Sequence, residues 1–249
     1  ALSLVGSEMC IRDRYGCTHH LILKELGYNS NNGHQEIVER LENKNIGWAY
    51  ADQSMFNPKL HNLMSLRKQI IKRPVITTVE VLVKPVSSKN DMFFTGFVHK
   101  PYPPIYLELS RNAQFNSATV IRGTEGGIIP SLRQTGKVHF YHSAGEQDDY
   151  YDVTPEDLGI VQSSRAVDIP EEITRKNTKD KIESKVDAVD IAKETIKSGT
   201  SALSGNDGPM LSCIQLGAAI ILQRATGNDL GNCSKAVSYT HLTLPTKNE

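Results

Sequence analysis

Residues 118–132 read ATVIRGTEGGIIPSL, and the passage from an apolar run into a glycine loop decides the fold class. Ala118, Thr119, Val120 and Ile121 are small or β-branched and show no helical period, the pattern of a short buried strand. Arg122, Gly123, Thr124, Glu125, Gly126 and Gly127 then form a loop whose glycines permit tight turns and whose charges can meet a ligand. A buried strand that runs into such a loop is where an open α/β sheet places its ligand crevice, beyond the carboxyl ends of the strands. Arg122, Gly123, Thr124, Glu125 and Gly126 are therefore candidate contact residues. An ordinary exit from strand to turn accounts for the same letters without a ligand.

Upstream of this stretch, 93–98 reads as a strand and 103–114 as a helix opened by prolines. With 118–121 they make a βαβ unit, expected to cross over right-handed into parallel pairing. Downstream, 137–141 is a further strand, 146–152 an acidic loop, and Thr154-Pro155-Glu156-Asp157 a helix start. Residues 180–197 form an amphipathic helix with Ile182, Val186, Val189 and Ile196 on one face, 198–208 a loop, and 209–226 an almost wholly apolar, buried helix.

Nearer the start, 18–26 is a short helix capped by Thr18 and closed by Gly27, with Leu21, Ile22 and Leu26 as its buried stripe. His19 and His20 diverge by about 100° on a helix and do not chelate together. A second helix spans 34–43 with Ile37, Val38 and Leu41 inward, and 47–51 (GWAYA) reads as a buried strand. Asn57 and Pro58 open a basic helix running to about Ile71, with Leu60, Leu63, Met64 and Ile70 or Ile71 inward and Lys59, Arg67, Lys68, Lys72 and Arg73 around it. Pro74 ends or kinks it. The Val and Thr content of 75–83 favours a strand, with a packed helix as the alternative. The whole is an α/β layer.

Two terminal stretches, 2–14 (LSLVGSEMCIRDR) and 237–246 (VSYTHLTLPT), resemble translated adapter sequence of the kind found at the ends of fragmentary metagenomic genes. The expected organisation is an artefact at 1–14, a partial α/β domain at 15–236 and a second artefact at 237–249. Neither end is expected to pack, and sequence upstream of Tyr15 and beyond Ala236 is expected to be missing. Charge balances over the whole chain, 28 basic against 28 acidic residues, which argues against a dedicated nucleic-acid coat. Residues 57–100 nevertheless carry eight Lys/Arg against Glu80 and Asp91, whereas 144–194 carries fourteen Asp/Glu against seven Lys/Arg. The first half can meet an anion, and the second reads as a solvated face. No apolar run approaches a membrane span. With Cys10 set aside, Cys17, Cys213 and Cys233 have no metal-ligand spacing, so a reduced, cytoplasmic setting and no metal site are expected.

Five segments, in order, resemble the large domain of anthranilate phosphoribosyltransferase, in the glycosyltransferase family that includes the thymidine-type nucleoside phosphorylases. Residues 17–27 resemble its CGSADVLEALG helix. Residues 46–50 with 57–73 resemble its IGF strand and FHPAMKHVxPVRRELG helix. Residues 75–85 stand in place of TIFNLLGPLLNP, helical in that family. Residues 122–132 resemble HGxDGLDEIS, and 208–220 resemble GPxRDAVLLNAAAAL. The resemblance implies a parallel-sheet domain with helices on both faces, an N-terminal helical domain and donor-binding glycine loop upstream of the present chain, and room for a homodimer. It implies Mg2+ with phosphoribosyl pyrophosphate as the family's cofactor and donor, and a small aromatic acid as acceptor, with Arg67 at the arginine that contacts it and Arg73 retained.

The departures are specific. The Asp-Glu pair that helps hold magnesium becomes Ile128 and Ile129, which cannot ligate a hard cation, leaving Glu125 as the nearby carboxylate. His19-His20-Leu21 replaces Ser-Ala-Asp, and Gln215 replaces an Asn. The RGTEGG wording resembles the phosphoribosyltransferase-like paralogue branch, described as nucleic-acid binding. Two function classes follow: a transferase fragment, not catalytic as it stands, or a silent paralogue whose basic 59–100 surface, with Arg67, Lys68, Lys72 and Arg73, binds nucleic acid or another polyanion through phosphates. Charge polarity favours the second; overall neutrality and the lack of a basic-aromatic stacking array oppose it. A merely solvated basic face fits the helix as well.

Overall fold

The computed structural model describes residues 2–6, 17–29, 31–70, 75–124, 127–168, 170, 171, 173 and 187–239, with backbone alone for 2–6, 67, 68 and 239. The unit that positions everything else is the expected βαβ: β2 (Asn90–Gly96), α7 (Tyr102–Asn112) and β3 (Ser117–Ile121), with β2 and β3 parallel from Met92↔Ser117 to Gly96↔Ile121. Beyond β3 the sheet turns antiparallel through β4 (Gly136–Tyr141) and β5 (Asp149–Val153), in the order β1-β2-β3-β4-β5. The architecture is α/β, but only half of the sheet is parallel.

Every residue of β3 and all but the first of β2 are buried, because helices cover both faces. One face carries Phe93, Ala118, Val120 and Tyr141, packed with Tyr106 and Leu107 of α7 and with Phe115. The other carries Met92, Phe94, Ile121, Val138 and Val153 against Cys213, Leu216 and Ile220 of a long helix, Pro209–Thr226. That helix, α9, has the bounds its apolar composition demands. Before it lies α8 (Ala188–Leu203), N-capped by Asp187, and after it α10 (Leu230–Tyr239).

The N-terminal helices follow their caps. The Thr18 side chain accepts from Leu21 N–H at 3.1 Å and opens α1 (His19–Glu25). The Tyr28 N–H donates back to Leu23 and the Gly27 N–H to Lys24, a Schellman closure with Gly27 at φ 77°. Next come α2 (His34–Glu42), α3 (Gln53–Phe56), α4 (Pro58–His61, capped by Asn57), α5 (Met64–Gln69) and α6 (Ile76–Val79).

Several expectations fail for physical reasons. Residues 47–51 are not a strand: Gly47 takes φ 67°, and Trp48 stacks on Tyr28 instead of entering the sheet. The basic helix breaks at Asn62–Leu63 into α4 and α5, and Leu63 and Ile70 are exposed rather than inward, as Val38 is on α2. Residues 75–83 are helical, α6 running into a 3-10 turn (Glu80–Leu82) that buries Val81 and Leu82. The acidic 146–152 segment supplies β5, because Lys137 opposite Asp152 and His139 opposite Tyr150 give its polar side chains partners on β4. Thr154 opens only a 3-10 turn (Pro155–Leu158), and its hydroxyl pairs with Thr135 instead of capping. The 180–197 helix begins at Ala188, and 198–203, read as loop, completes it; Ile182 and Val186 lie outside the described residues. At the ends, Leu2–Gly6 form β1, parallel to β2 from Leu2↔Asn90 to Gly6↔Phe94, and 237–239 complete α10, so neither stretch is wholly without a place in the fold. The position of β1 is the sheet edge, where unpaired backbone groups accept an extended segment. Residues 7–14 and 240–249 lie outside the described residues.

The base of the βαβ unit is pinned by charge. The Asp91 carboxylate, buried at the start of β2, accepts from Lys84 Nζ at 3.0 Å and from the Ser88 backbone and hydroxyl, while Asn116 Oδ1 accepts from Asp91 N–H. Lys84 also donates to the Gln114 carbonyl at 2.7 Å, steadying a non-glycine residue at φ 60° where α7 ends. Burial alone would raise the Asp91 pKa, but these donors outweigh it and hold the carboxyl below its ordinary value. A carboxyl that titrates lower when folded stabilises fully above about pH 4 and loses that contribution as pH falls through the folded value. Lys84→Met, which strands the buried carboxylate, is expected to cost about 3–5 kcal/mol in urea unfolding at pH 7. In Asp91→Asn the part of the acid destabilisation below about pH 4 that Asp91 supplies is expected to disappear. An unchanged urea midpoint in Lys84→Met contradicts the pin.

Candidate functional site

β2 and β3 release the chain side by side at Gly96 and Ile121, the carboxyl ends beyond which the sequence places a ligand crevice. The Ile121 carbonyl accepts from both Phe97 N–H (2.9 Å) and Gly123 N–H (2.8 Å), so both strands end on one atom. Beyond it, Val98, His99 and Lys100 leave β2 exposed, and Arg122 leaves β3 exposed with its N–H bonded to the Lys137 carbonyl.

The glycine loop folds on itself. Gly123 bridges to Pro130, Thr124 N–H donates to the Ile129 carbonyl at 2.9 Å, and Gly127 N–H donates to the Thr124 carbonyl at 3.0 Å. A Cβ on Gly123 would overlap the Gly127 carbonyl oxygen, which is why no side chain fits there. The N–H groups of Gly123, Thr124 and Gly127 are thus consumed inside the loop. They close it and do not cradle a ligand. Glu125 and Gly126 lie outside the described residues.

Ile128 and Ile129 are half-buried and pack on the second core cluster, with Ile129 Cγ1 3.4 Å from where a Cβ on Gly217 would stand. The Ile129 side chain faces α9. These positions do not fit a hard divalent cation, and among the described residues no group of three His, Cys, Asp or Glu is arranged to hold one. Nucleophile chemistry is equally poorly served by the one fully enclosed thiol of α9: burial pushes Cys213 up to about 11, which keeps it protonated at neutral pH. Tyr151 is pushed up to about 12 by burial and serves as a donor to Gln223. His139 is held below its usual value by burial and by Lys137, in ring contact with Phe97 and Tyr150.

The loop brings together two arginines that sequence reasoning had not selected. The Arg165 carbonyl accepts from Leu132 N–H at 3.0 Å and from the Thr124 hydroxyl at 3.4 Å, and Arg133 Nη1 donates to the Ser163 carbonyl at 3.2 Å. Arg122, Arg133 and Arg165 are all exposed around this loop. Arg133 was within reach of the motif. Arg165 lies more than forty residues downstream, and no local signal announces it. A groove of about 80 Å3 opens near Arg165, lined by Val167, Asp168, Ile191, Glu194 and Met210; it is too small for a nucleotide-sized ligand.

Of the predicted anion-binding residues, Arg67 and Lys68 lie on α5 with only their backbone described, and Lys72 and Arg73 lie outside the described residues. A basic-aromatic contact forms elsewhere, between Tyr28, Arg40 and Trp48. Trp48, 46% exposed, stacks on Tyr28 with ring centroids 5.3 Å apart. The Arg40 guanidinium lies over both rings, at 5.1 and 5.4 Å, with its Nε buried and unbonded. His20 stands with Nδ1 2.8 Å from the buried Asp52 carboxylate, which also caps α3. His20 thereby joins α1 to the start of α3.

No protein-family model matches the chain. An uncharacterized protein of Aquifex aeolicus (strain VF5) is 31% identical over 115 residues, 46% of this chain, and the match spans 31% of that relative's length. Anthranilate phosphoribosyltransferase from Saccharomyces cerevisiae in complex with 4-fluoroanthranilate matches with TM-score 0.65 at 14% identity, covering 95% of this chain and 67% of the solved one. The same enzyme in complex with PRPP and Mg gives TM-score 0.65 at 13% identity over the same shares. The chain therefore has the α/β fold of the anthranilate phosphoribosyltransferases.

Proposed function

We propose that this is part of an anthranilate phosphoribosyltransferase-like protein that receives a phosphate-bearing ligand at the crevice beyond β2 and β3, and that the present chain does not transfer the phosphoribosyl group by the magnesium route. The likeness of fold supports the family, and solved neighbours that bind PRPP with Mg and 4-fluoroanthranilate support a phosphorylated donor and a small aromatic acid as its ligand classes. One observation carries the non-catalytic part: Ile128 and Ile129, at the family's metal carboxylates, pack on the second core cluster, Ile129 against Gly217 of α9. Phosphoribosyl transfer needs a pyrophosphate leaving group whose developing charge is held in place. With two isoleucines facing the core, that hold by a hard cation is lost.

A second reading has its own support. The exposed Trp48 ring backed by Tyr28 and Arg40 is a platform of the kind on which bases of single-stranded nucleic acid stack. Together with the basic 57–100 segment it favours a polyanion as partner.

Incubating the purified chain with phosphoribosyl pyrophosphate, anthranilate and magnesium is expected to release no pyrophosphate above background. Ile128→Asp/Ile129→Glu is expected not to restore activity, since both side chains point into the core. Turnover by the unmodified chain overturns the non-catalytic reading. The polyanion reading is tested by the single tryptophan: an oligonucleotide is expected to quench Trp48 fluorescence, with affinity falling steeply with salt, and Arg40→Ala to weaken it by about tenfold. Fluorescence indifferent to the oligonucleotide removes it.

A further inference from the structure

We infer that the Arg122–Arg133–Arg165 cluster binds a phosphate or pyrophosphate group directly, without a metal ion; this rests on the proposed phosphate-bearing ligand at the crevice and deepens it. The three residues come from separate segments, joined through hydrogen bonds of their backbones and near neighbours: Arg165 C=O to Leu132 N–H and to the Thr124 hydroxyl, and Arg133 Nη1 to Ser163 C=O. Arg122 sits two residues before Thr124, at the carboxyl end of β3. All three are exposed, and neither Arg122 nor Arg165 has a carboxylate partner among the described residues. Other arginines of the fold are committed: Arg111 to Asp148 and two backbone carbonyls, Arg224 to His142 and the Phe140 ring.

The loop explains why side chains must do this work. In a phosphate-cradling glycine loop the backbone N–H groups point at the anion. Here those of Gly123, Thr124 and Gly127 are bonded within the loop, so the backbone they would offer is already used. The metal route is closed by Ile128 and Ile129. Beside those bonded amides, the described residues offer three planar guanidinium forks, whose N–H geometry matches phosphate oxygens and whose charge persists at any physiological pH. The charge that a divalent cation would supply is replaced by side chains that need no cation to bind the anion.

Calorimetric titration of the full chain with inorganic pyrophosphate tests this, once with EDTA and once with magnesium. Binding of equal strength with EDTA is expected, and Arg122→Gln, Arg133→Gln and Arg165→Gln are each expected to weaken it by about tenfold or more. Lys24→Gln, at an exposed residue of α1, serves as the control for loss of one positive charge and is expected to leave affinity unchanged. Circular dichroism of each variant confirms that it folds. Binding that requires magnesium, that survives all three arginine substitutions, that falls equally with Lys24→Gln, or that is absent overturns the inference. The transferase reading fails on a different result, pyrophosphate release with anthranilate, so the two are separable.

Discussion

The buried contact between Lys84 and Asp91 is the constraint on which the rest of the sheet depends. It sits at the amino end of β2, below the crossover, and ties three chain segments together: the loop after the 3-10 turn, the first residues of β2 and the αL residue that ends α7. Because Asn116 also bonds Asp91 N–H, the entry into β3 is fixed against the entry into β2. Parallel pairing then leaves no freedom in register, since a one-residue slip would turn Phe93 and Val120 away from α7. With the base fixed and both strands short, the carboxyl ends must emerge together at Gly96 and Ile121. The place of the crevice is thus decided at the opposite end of the unit.

Much of this was legible because it rests on local chemistry. The Pro209–Thr226 helix has a proline at its start, Gly227 in the left-handed region after its end and an unbroken apolar run, 216–222, between, all signs of a buried helix. The β2–α7–β3 unit is announced by two apolar runs and a proline-opened helix. β5 was hidden, because Asp149, Tyr150, Tyr151, Asp152 and Val153 look like loop until Lys137 and His139 stand opposite. Residues 47–51 misled in the other direction: aromatic and alanine residues suggest a strand, but the Trp48 ring found Tyr28 and Arg40 rather than a neighbouring strand. At the site, the Arg122–Gly123 turn could be read from its letters. Arg165 could not, since its place is set by one carbonyl bonded to Leu132 and nothing in its own neighbourhood marks it.

The glycine loop shows why a motif and its chemistry separate. Glycines were expected to let the backbone approach a ligand. Gly123 instead lets the backbone approach itself, with the Gly127 carbonyl occupying the volume of a side chain. The N–H groups of Gly123, Thr124 and Gly127 are spent on this closure. The residues that follow, Ile128 and Ile129, then serve as its root in the core beside Gly217. One sequence change, carboxylates to isoleucines, therefore has two effects. On the proposed reading a cation site is exchanged for an apolar anchor.

That anchor bears on what kind of chemistry the site can support. A magnesium ion on a pyrophosphate does two things: it neutralises charge in the ground state and it follows the charge that develops as the bond breaks. Guanidinium groups on exposed side chains accomplish the first readily. The second demands groups held in fixed places where charge appears, because electrostatic stabilisation of a transition state comes from preorganisation rather than from charge alone. Of the three arginines only Arg133 is tethered by its side chain, through Ser163. Arg122 and Arg165 are anchored through their backbones, leaving long side chains free to adapt to whichever phosphate arrives. Such a cluster holds ground state and transition state about equally, which lowers the dissociation constant without speeding transfer. On the proposed reading, then, the loop suits binding better than catalysis, whatever the identity of the group that carries the phosphate.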